Sequence, residues 1–135
     1  MTSLDLARSY LKKAEARVDI LEVLYRKAAY SDVVREAQEV VELALKGALR
    51  FVGIEPPKYH DVGPLLVEHR DRLAKVSRHD VQKAAEISKK LRKEREFSFY
   101  GDIDFIPTEE YTSENAQDAI KGAKFVLELV KNVVV

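Results

Sequence analysis

Two long amphipathic segments fill the first 51 residues of the chain, and almost no loop separates them. Apolar side chains recur every three or four positions from Leu4 to Ala28, and a second stripe runs from Val34 to Phe51. This spacing is the period of an α-helix, so each stripe forms one apolar face. Because the connection is so short, the two helices are predicted to pack as an antiparallel pair.

Capping residues set the predicted ends of these two helices. Ser3 is suited to cap the first helix, and Ser31 with Asp32 is suited to cap the second. Gly53 and the two prolines that follow end the second helix, because glycine tolerates left-handed backbone and proline lacks an amide donor.

Three further helices are predicted in the rest of the chain. A short third helix begins at Asp61, its predicted N-cap, and the fourth begins in the Ser77 to Asp80 turn and stops near Tyr100. Ser113 is the predicted cap of the last helix. Residues 101–112 connect the fourth helix to the last one, and this loop is expected to be held to the helical bundle by its apolar side chains. These are Ile103, Phe105 and Ile106.

No alternating strand pattern and no internal repeat interrupts these segments. The predicted fold is therefore all-α, a single domain over residues 1–135. It is an up-down helical bundle of four main helices plus a short third helix. With 135 residues the chain can bury a real core without disulfides or a structural metal.

The composition excludes several kinds of site. The chain has no Cys, which removes thiolate catalysis and Cys-zinc sites, and none of its three His follows a Glu at the Glu-x-x-His spacing of di-iron bundles. We expect no metal and no cofactor. No apolar run reaches the length of a membrane span, so a soluble cytoplasmic protein without membrane contact is expected. The high charged fraction, 34%, is typical of thermophilic sources.

Charge is distributed unevenly along the chain although the formal total is zero. Residues 70–95 hold ten Lys or Arg against four acidic residues, whereas residues 96–135 hold three against eight. The basic part suits nucleotide or RNA phosphates, while the neutral total argues against bulk electrostatic attraction to DNA.

The end of the fourth helix combines dense positive charge with aromatic residues. Arg92 and Arg95 are followed by Phe99, Tyr100 and the helix-ending glycine at position 101. One interpretation is a solvated charged face that closes with core aromatics. The other is a phosphate site, because the guanidinium group pairs with phosphate in a bidentate fork.

Residues 31–50 read SDVVREAQEVVELALKGALR, and residues 53–61 read GIEPPKYHD. These sequences resemble the signature of HEPN domains (higher eukaryotes and prokaryotes nucleotide-binding). The resemblance covers nearly the whole chain, since Phe-Tyr-Gly-Asp at 99–102, the segment 107–111 and the Ala-rich last helix are also similar to this family. It implies a homodimer with the end of the fourth helix at its groove, often paired with a minimal nucleotidyltransferase in a toxin-antitoxin system.

The chain departs from the pattern of active HEPN ribonucleases, in which Arg is followed after four to six residues by His. Counting from Arg95, the matching position is Tyr100. Imidazole titrates near neutral pH and phenol at about pH 10, so Tyr is a poor general base. The side chains of Arg95 and Tyr100 also lie about 140° apart around a helix. Arg72 and His79 match the bare spacing but bracket the turn before the fourth helix.

Two functional hypotheses follow from these observations. The first is a homodimeric module that binds nucleotide or RNA phosphate. Its candidate ligand-binding residues are Arg92, Arg95, Tyr100 and, more weakly, Lys46, whose stem can cover apolar surface while its amine reaches water. The alternative is a metal-independent endoribonuclease in which Arg95 and Tyr100 are catalytic. His60 and Asp61 are interpreted as structural, since Asp61 caps the third helix.

Overall fold

The computed structural model describes residues 3–134, and these residues contain six α-helices. Four helices are long and two are short. The long ones are α1 (Ser3–Arg26), α2 (Tyr30–Phe51), α4 (Arg78–Phe99) and α6 (Ser113–Val133). The short ones are α3 (Gly63–Glu68) and α5 (Pro107–Glu110), and a 3-10 turn spans Arg70–Arg72. No strand occurs within residues 3–134, which confirms the all-α prediction. No helix in this range is both long and apolar enough to cross a bilayer.

Helices α1 and α2 form the antiparallel pair that their stripes predict. The start of α1 meets the end of α2, where a side chain on Gly47 would lie 3.3 Å from the backbone oxygen of Ala7. At the opposite end the rings of Tyr25 and Tyr30 are 5.6 Å apart. The many alanines on both stripes permit this close approach.

Helix α2 is the centre of the bundle, because α1, α4 and α6 all pack against it. Its apolar stripe is buried along its whole length. The largest fully buried side chains of the protein include Leu21 of α1, Leu45 and Leu49 of α2, and Leu66 of α3. A side chain that projects from α2 toward α4 is therefore removed from water.

The predicted cap of α2 is wrong. The N-cap residue is Ala29, two residues before Ser31, and it provides no side-chain bond. The helix begins at Tyr30, after Ala28 in a left-handed conformation (φ +57°). Ser31 lies inside the first turn and is buried. The turn is closed by backbone geometry instead, since the Ala29 amide donates to the Leu24 oxygen.

The predicted cap of α6 is displaced by one residue. Thr112 is the N-cap, and it forms a reciprocal capping box with Asn115. The hydroxyl of Ser113 instead lies 2.7 Å from the Tyr25 hydroxyl on α1. By contrast, the predicted cap of α4 is confirmed, because Ser77 Oγ accepts a hydrogen bond from the Asp80 amide.

Helix α3 is shorter than predicted. It begins at Gly63 after the N-cap residue Val62, so Asp61 lies one residue before the cap position, and it ends at Glu68, before Leu73. Gly63 lies against α4, where an added side chain would meet Ala85 at 3.0 Å. This contact fixes the short helix on the fourth.

The loop after α4 is only partly held to the body. Gly101 has φ +69° and ends the helix, and Asp102 pairs with Phe105 through two backbone hydrogen bonds. The Phe105 ring packs against Phe97 and Tyr111, as expected. The prediction is wrong for Ile103, which is 91% exposed at the tip of this turn, and for Ile106, which is half exposed. The short α5 was not predicted.

Candidate functional site

A polar side chain interrupts the buried face of α2 where it meets the end of α4. Gln38 is only 2% exposed, and its Oε1 accepts a hydrogen bond of 2.6 Å from Arg95 Nη1. The same nitrogen lies 2.6 Å from Glu39 Oε1. Arg95 therefore points into the protomer, and its side chain is 14% exposed.

The hydrogen bonds continue along α2 toward α3. Gln38 Nε2 donates to Glu42 Oε1 over 3.0 Å, and His60 Nδ1 donates to the same oxygen over 2.8 Å. The other oxygen of Glu42 lies 3.0 Å from Lys46 Nζ. The Lys46 side chain is only 15% exposed. Its amine was expected to reach water, but it is paired with a carboxylate instead.

The opposite end of the network reaches the aromatic end of α4. Arg35 Nη1 donates to Glu39 Oε1, and its guanidinium carbon lies 5.5 Å from the centre of the Phe99 ring. Phe99 in turn contacts the Tyr100 ring edge-on at 4.8 Å. We call this connected set the α2 polar network. Its members are Arg35, Gln38, Glu39, Glu42, Lys46, His60 and Arg95.

Both carboxylates of the α2 polar network are held in the ionised form. Burial disfavours ionisation of Glu39, but hydrogen bonds from Arg95 and Arg35 outweigh it and lower the pKa of Glu39. Burial likewise opposes ionisation of Glu42, and its bonds from Gln38, Lys46 and His60 lower its pKa. Arg95 and Lys46 are thus each paired with a carboxylate within the protomer, and Arg95 shares Glu39 with Arg35.

The other two candidate residues lie outside the α2 polar network. Tyr100 is 75% exposed at the end of α4. Arg92 is partly exposed, and no residue between 3 and 134 forms an ion pair or side-chain hydrogen bond with it. The structure thus separates the four ligand-binding candidates into two groups. Arg95 and Lys46 belong to the α2 polar network, whereas Tyr100 is exposed and Arg92 is half-buried without a polar partner in that range.

His60 and Asp61 both make contacts that hold helices together. Asp61 Oδ1 accepts a 3.0 Å bond from the Gly63 amide at the start of α3 and a 2.8 Å bond from Ser88 Oγ on α4. His60 connects the loop before α3 to Glu42. These bonds fit the interpretation of the pair as structural.

Apolar side chains are exposed around Tyr100, at the end of α4. We call these residues the α4-end cluster. Its members are Phe97, Phe99, Tyr100, Ile103 and Ile106. Lys89 and Lys93 are exposed on the same helix, and neither has an ion-pair partner within residues 3–134. The end of α4 therefore presents aromatic surface and free positive charge together.

Sequence analysis missed the acceptors of the α2 polar network. Two signals for them were present. Gln38 lies within an otherwise apolar stripe, and Glu42 is four residues from both Gln38 and Lys46, the spacing at which side chains meet on a helix. Within residues 3–134 no group of three or more His, Asp or Glu side chains is arranged to hold a metal ion.

This chain matches a family model and is similar to a related protein and a solved structure. The family model described as HEPN domain matches residues 7–133. The protein named "Putative toxin MJ1304", from Methanocaldococcus jannaschii, is 27% identical over an alignment of 136 positions, and the alignment covers 93% of this chain and 86% of that protein. The crystal structure of ST0689, described as an archaeal HEPN homologue, matches with a TM-score of 0.71 at 25% identity and covers 96% of this chain and 98% of that one. Because the family model spans almost the entire chain, the protein belongs to the HEPN domain family.

Proposed function

We propose that the protein is a homodimeric HEPN module that binds nucleotide or RNA phosphate at the end of α4. The observation that carries this proposal is the α4-end cluster, where exposed aromatic rings lie beside cations that have no partner within residues 3–134. Base stacking on aromatic rings and phosphate pairing with Arg or Lys are the two interactions that single-stranded nucleic acid requires.

The exposed apolar side chains support the dimer. Several large apolar side chains are exposed near the end of one helix, and Ile103 presents nearly its whole side chain to solvent. A second copy of the chain carries the same cluster, so a two-fold axis would pair two identical patches. Such pairing brings two α4 ends and two copies of Arg92 to one groove.

Within this groove, Arg92 and Lys93 are the proposed phosphate contacts and Tyr100 is the proposed stacking surface. Arg95 contributes less directly, because its Nη1 already donates to both Gln38 and Glu39. Lys46 is excluded from the proposed site, since Glu42 neutralises its charge.

The alternative function, a ribonuclease that uses Arg95 and Tyr100, is less well supported. A shared catalytic site requires both side chains to reach one phosphodiester, yet Arg95 is turned toward α2 while Tyr100 is exposed to solvent. Tyr is also a poor general base at neutral pH. We therefore favour binding without efficient cleavage.

The biological setting that we propose is a toxin-antitoxin-like system with a minimal nucleotidyltransferase as partner. The support is the name of the M. jannaschii relative, "Putative toxin MJ1304". Co-expression with a nucleotidyltransferase encoded beside the gene, followed by affinity purification, tests the partner. Recovery of a stoichiometric complex is expected, and separate elution of the two proteins would contradict this part of the proposal.

Fluorescence anisotropy with a short labelled single-stranded RNA tests the binding site. The double variant Arg92→Gln/Lys93→Gln should bind about tenfold or more weakly, because two charge-assisted phosphate contacts are lost. The matched control is Lys12→Gln/Lys13→Gln, which removes the same charge from an exposed part of α1. Equal weakening by both double variants would mean that binding depends only on net charge, and an unchanged affinity would place the ligand elsewhere.

A further inference from the structure

A cleft of about 350 Å³ opens between α4, α5 and α6. Its volume lies at the lower end of the range that small-molecule sites occupy. Helix α2 contributes one residue, Val34, at its base. The apolar residues that line it are Val34, Ile87, Leu91, Phe105, Ala119 and Gly122.

Small residues on α6 create the space for this cleft. Ala119 and Gly122 face α4, and a side chain added to Gly122 would lie 3.1 Å from Ile87 Cγ2. The two helices are thus in contact at one end of the cleft. At the other end the rings of Phe105 and Tyr111 meet edge-on at 5.7 Å and form an aromatic wall.

The polar residues around the cleft are mainly acidic. Glu94, Glu110 and Asp118 face a single cation, Lys90, so the lining carries two excess negative charges. Neither Glu110 nor Asp118 has an ion-pair or side-chain hydrogen-bond partner within residues 3–134. Two uncompensated carboxylates therefore flank an apolar cavity.

Tyr111 is arranged to donate rather than to ionise. Its hydroxyl donates a 2.5 Å hydrogen bond to Glu94 Oε2. Burial, together with this bond and the charge of Glu94, raises the pKa of Tyr111 well above its usual value. The phenol stays neutral, and its ring is available to a cation in the cleft.

We propose that this cleft binds a small molecule that carries a protonated amine on an apolar body about the size of an aromatic ring. The body would displace water from the apolar base and pack against Phe105 and Tyr111. The ammonium group would lie among the carboxylates of Glu94, Glu110 and Asp118. A phosphate or carboxylate ligand would meet like charge there, so this site is separate from the proposed phosphate site on α4.

Three probes of matched shape test the role of charge. 2-Phenylethylamine, 2-phenylethanol and 3-phenylpropionate share a phenyl ring and differ in charge at neutral pH. In NMR titrations of the intact protein, the amine should bind about tenfold more tightly than the carboxylate, and the alcohol should fall between them. Perturbed signals should map to the lining residues. Equal affinities for the three probes, or no saturation by the amine up to about 20 mM, would overturn the proposal.

Charge-removing variants test the carboxylates. Glu110→Gln/Asp118→Asn should weaken amine binding about five- to tenfold and leave alcohol binding unchanged, which also shows that the cleft is still folded. Glu109→Gln/Glu114→Gln is the matched control, because both residues are exposed, on α5 and α6, but neither lines the cleft. The proposal is overturned if Glu110→Gln/Asp118→Asn binds the amine as well as the native protein, or if the control variant weakens binding equally.

Discussion

Exchange of Glu39 for Gln should loosen the attachment of α4 to α2. In the native protein Glu39 Oε1 accepts hydrogen bonds from Arg95 Nη1, at 2.6 Å, and from Arg35 Nη1. The Glu39→Gln substitution keeps the size of the side chain but removes its charge. The largely buried guanidinium of Arg95 would then have only neutral amide oxygens, at positions 38 and 39, as acceptors.

The burial of the two side chains sets the expected cost. Exposed ion pairs contribute about 0–1 kcal/mol, whereas the loss of one partner from a fully buried pair costs about 3–5 kcal/mol. Arg95 is 14% exposed and Glu39 is 27% exposed, so this pair lies between these cases. We expect Glu39→Gln to lower the free energy of unfolding by about 1.5–3 kcal/mol.

Urea unfolding at one fixed protein concentration measures this cost, and a double-mutant cycle isolates the pair. Glu39→Gln combined with Arg95→Gln should give a coupling energy of about 1–2 kcal/mol. The control pair is Glu22 with Lys124, whose charged atoms lie 3.1 Å apart but whose side chains are 47% and 51% exposed. Its coupling should be at most about 0.5 kcal/mol. A coupling for Glu39 and Arg95 no larger than that of the control would refute the reasoning.

Three further predictions follow from the structure. Folding lowers the pKa of Glu39, so ionised Glu39 stabilises the protein above the unfolded pKa of about 4.3, and this stabilisation is lost as pH falls through the folded pKa. Urea unfolding between about pH 7 and pH 3 should show this loss. An equally steep fall in the free energy of unfolding of Glu39→Gln would contradict the assignment. Gly101→Ala should cost about 2–4 kcal/mol, because Gly101 has φ +69° and a Cβ there would lie 2.3 Å from the Phe105 oxygen. Gly53→Ala, with φ +85° and no neighbour within 4 Å, should cost only about 1–2 kcal/mol, and equal costs in thermal unfolding would refute the steric argument. In an RNA cleavage assay the native protein should be a poor ribonuclease and Tyr100→Phe should match it, whereas a rate that falls in Tyr100→Phe would show that the tyrosine is catalytic.

The helices themselves were predictable because their signal is local. The apolar stripes of α1 and α2 repeat at the helical period over many turns, and the structure buries most of their members, although Ala28 is exposed beyond the end of α1. The first residues of α2 and α6 were not predictable, because tertiary contacts override local capping preference. Ser31 is buried in the bundle, and Ser113 forms its hydrogen bond with Tyr25, 88 residues away.

The candidate site was predictable only in part for the same reason. The helical period already placed Arg95 and Tyr100 on different sides of the fourth helix. It gave no indication that Glu39, 56 residues earlier, would take up the charge of Arg95. The distinction between Arg95, which is bonded to α2, and Arg92, which has no polar partner within residues 3–134, depends on this long-range contact, so it required the structure.

Sedimentation equilibrium tests the central claim, that two copies pair through the α4-end cluster, most directly. The protomer mass is 15.4 kDa, and we predict a species of twice that mass at micromolar concentration. Ile103→Asp should give the protomer mass, since this side chain is 91% exposed in the protomer and its exchange leaves the core intact. Ile20→Asp, an equivalent exchange on α1, should remain dimeric. The account would be contradicted if the native protein sediments as a 15.4 kDa species at every concentration. It would also be contradicted if Ile20→Asp separates the dimer and Ile103→Asp does not.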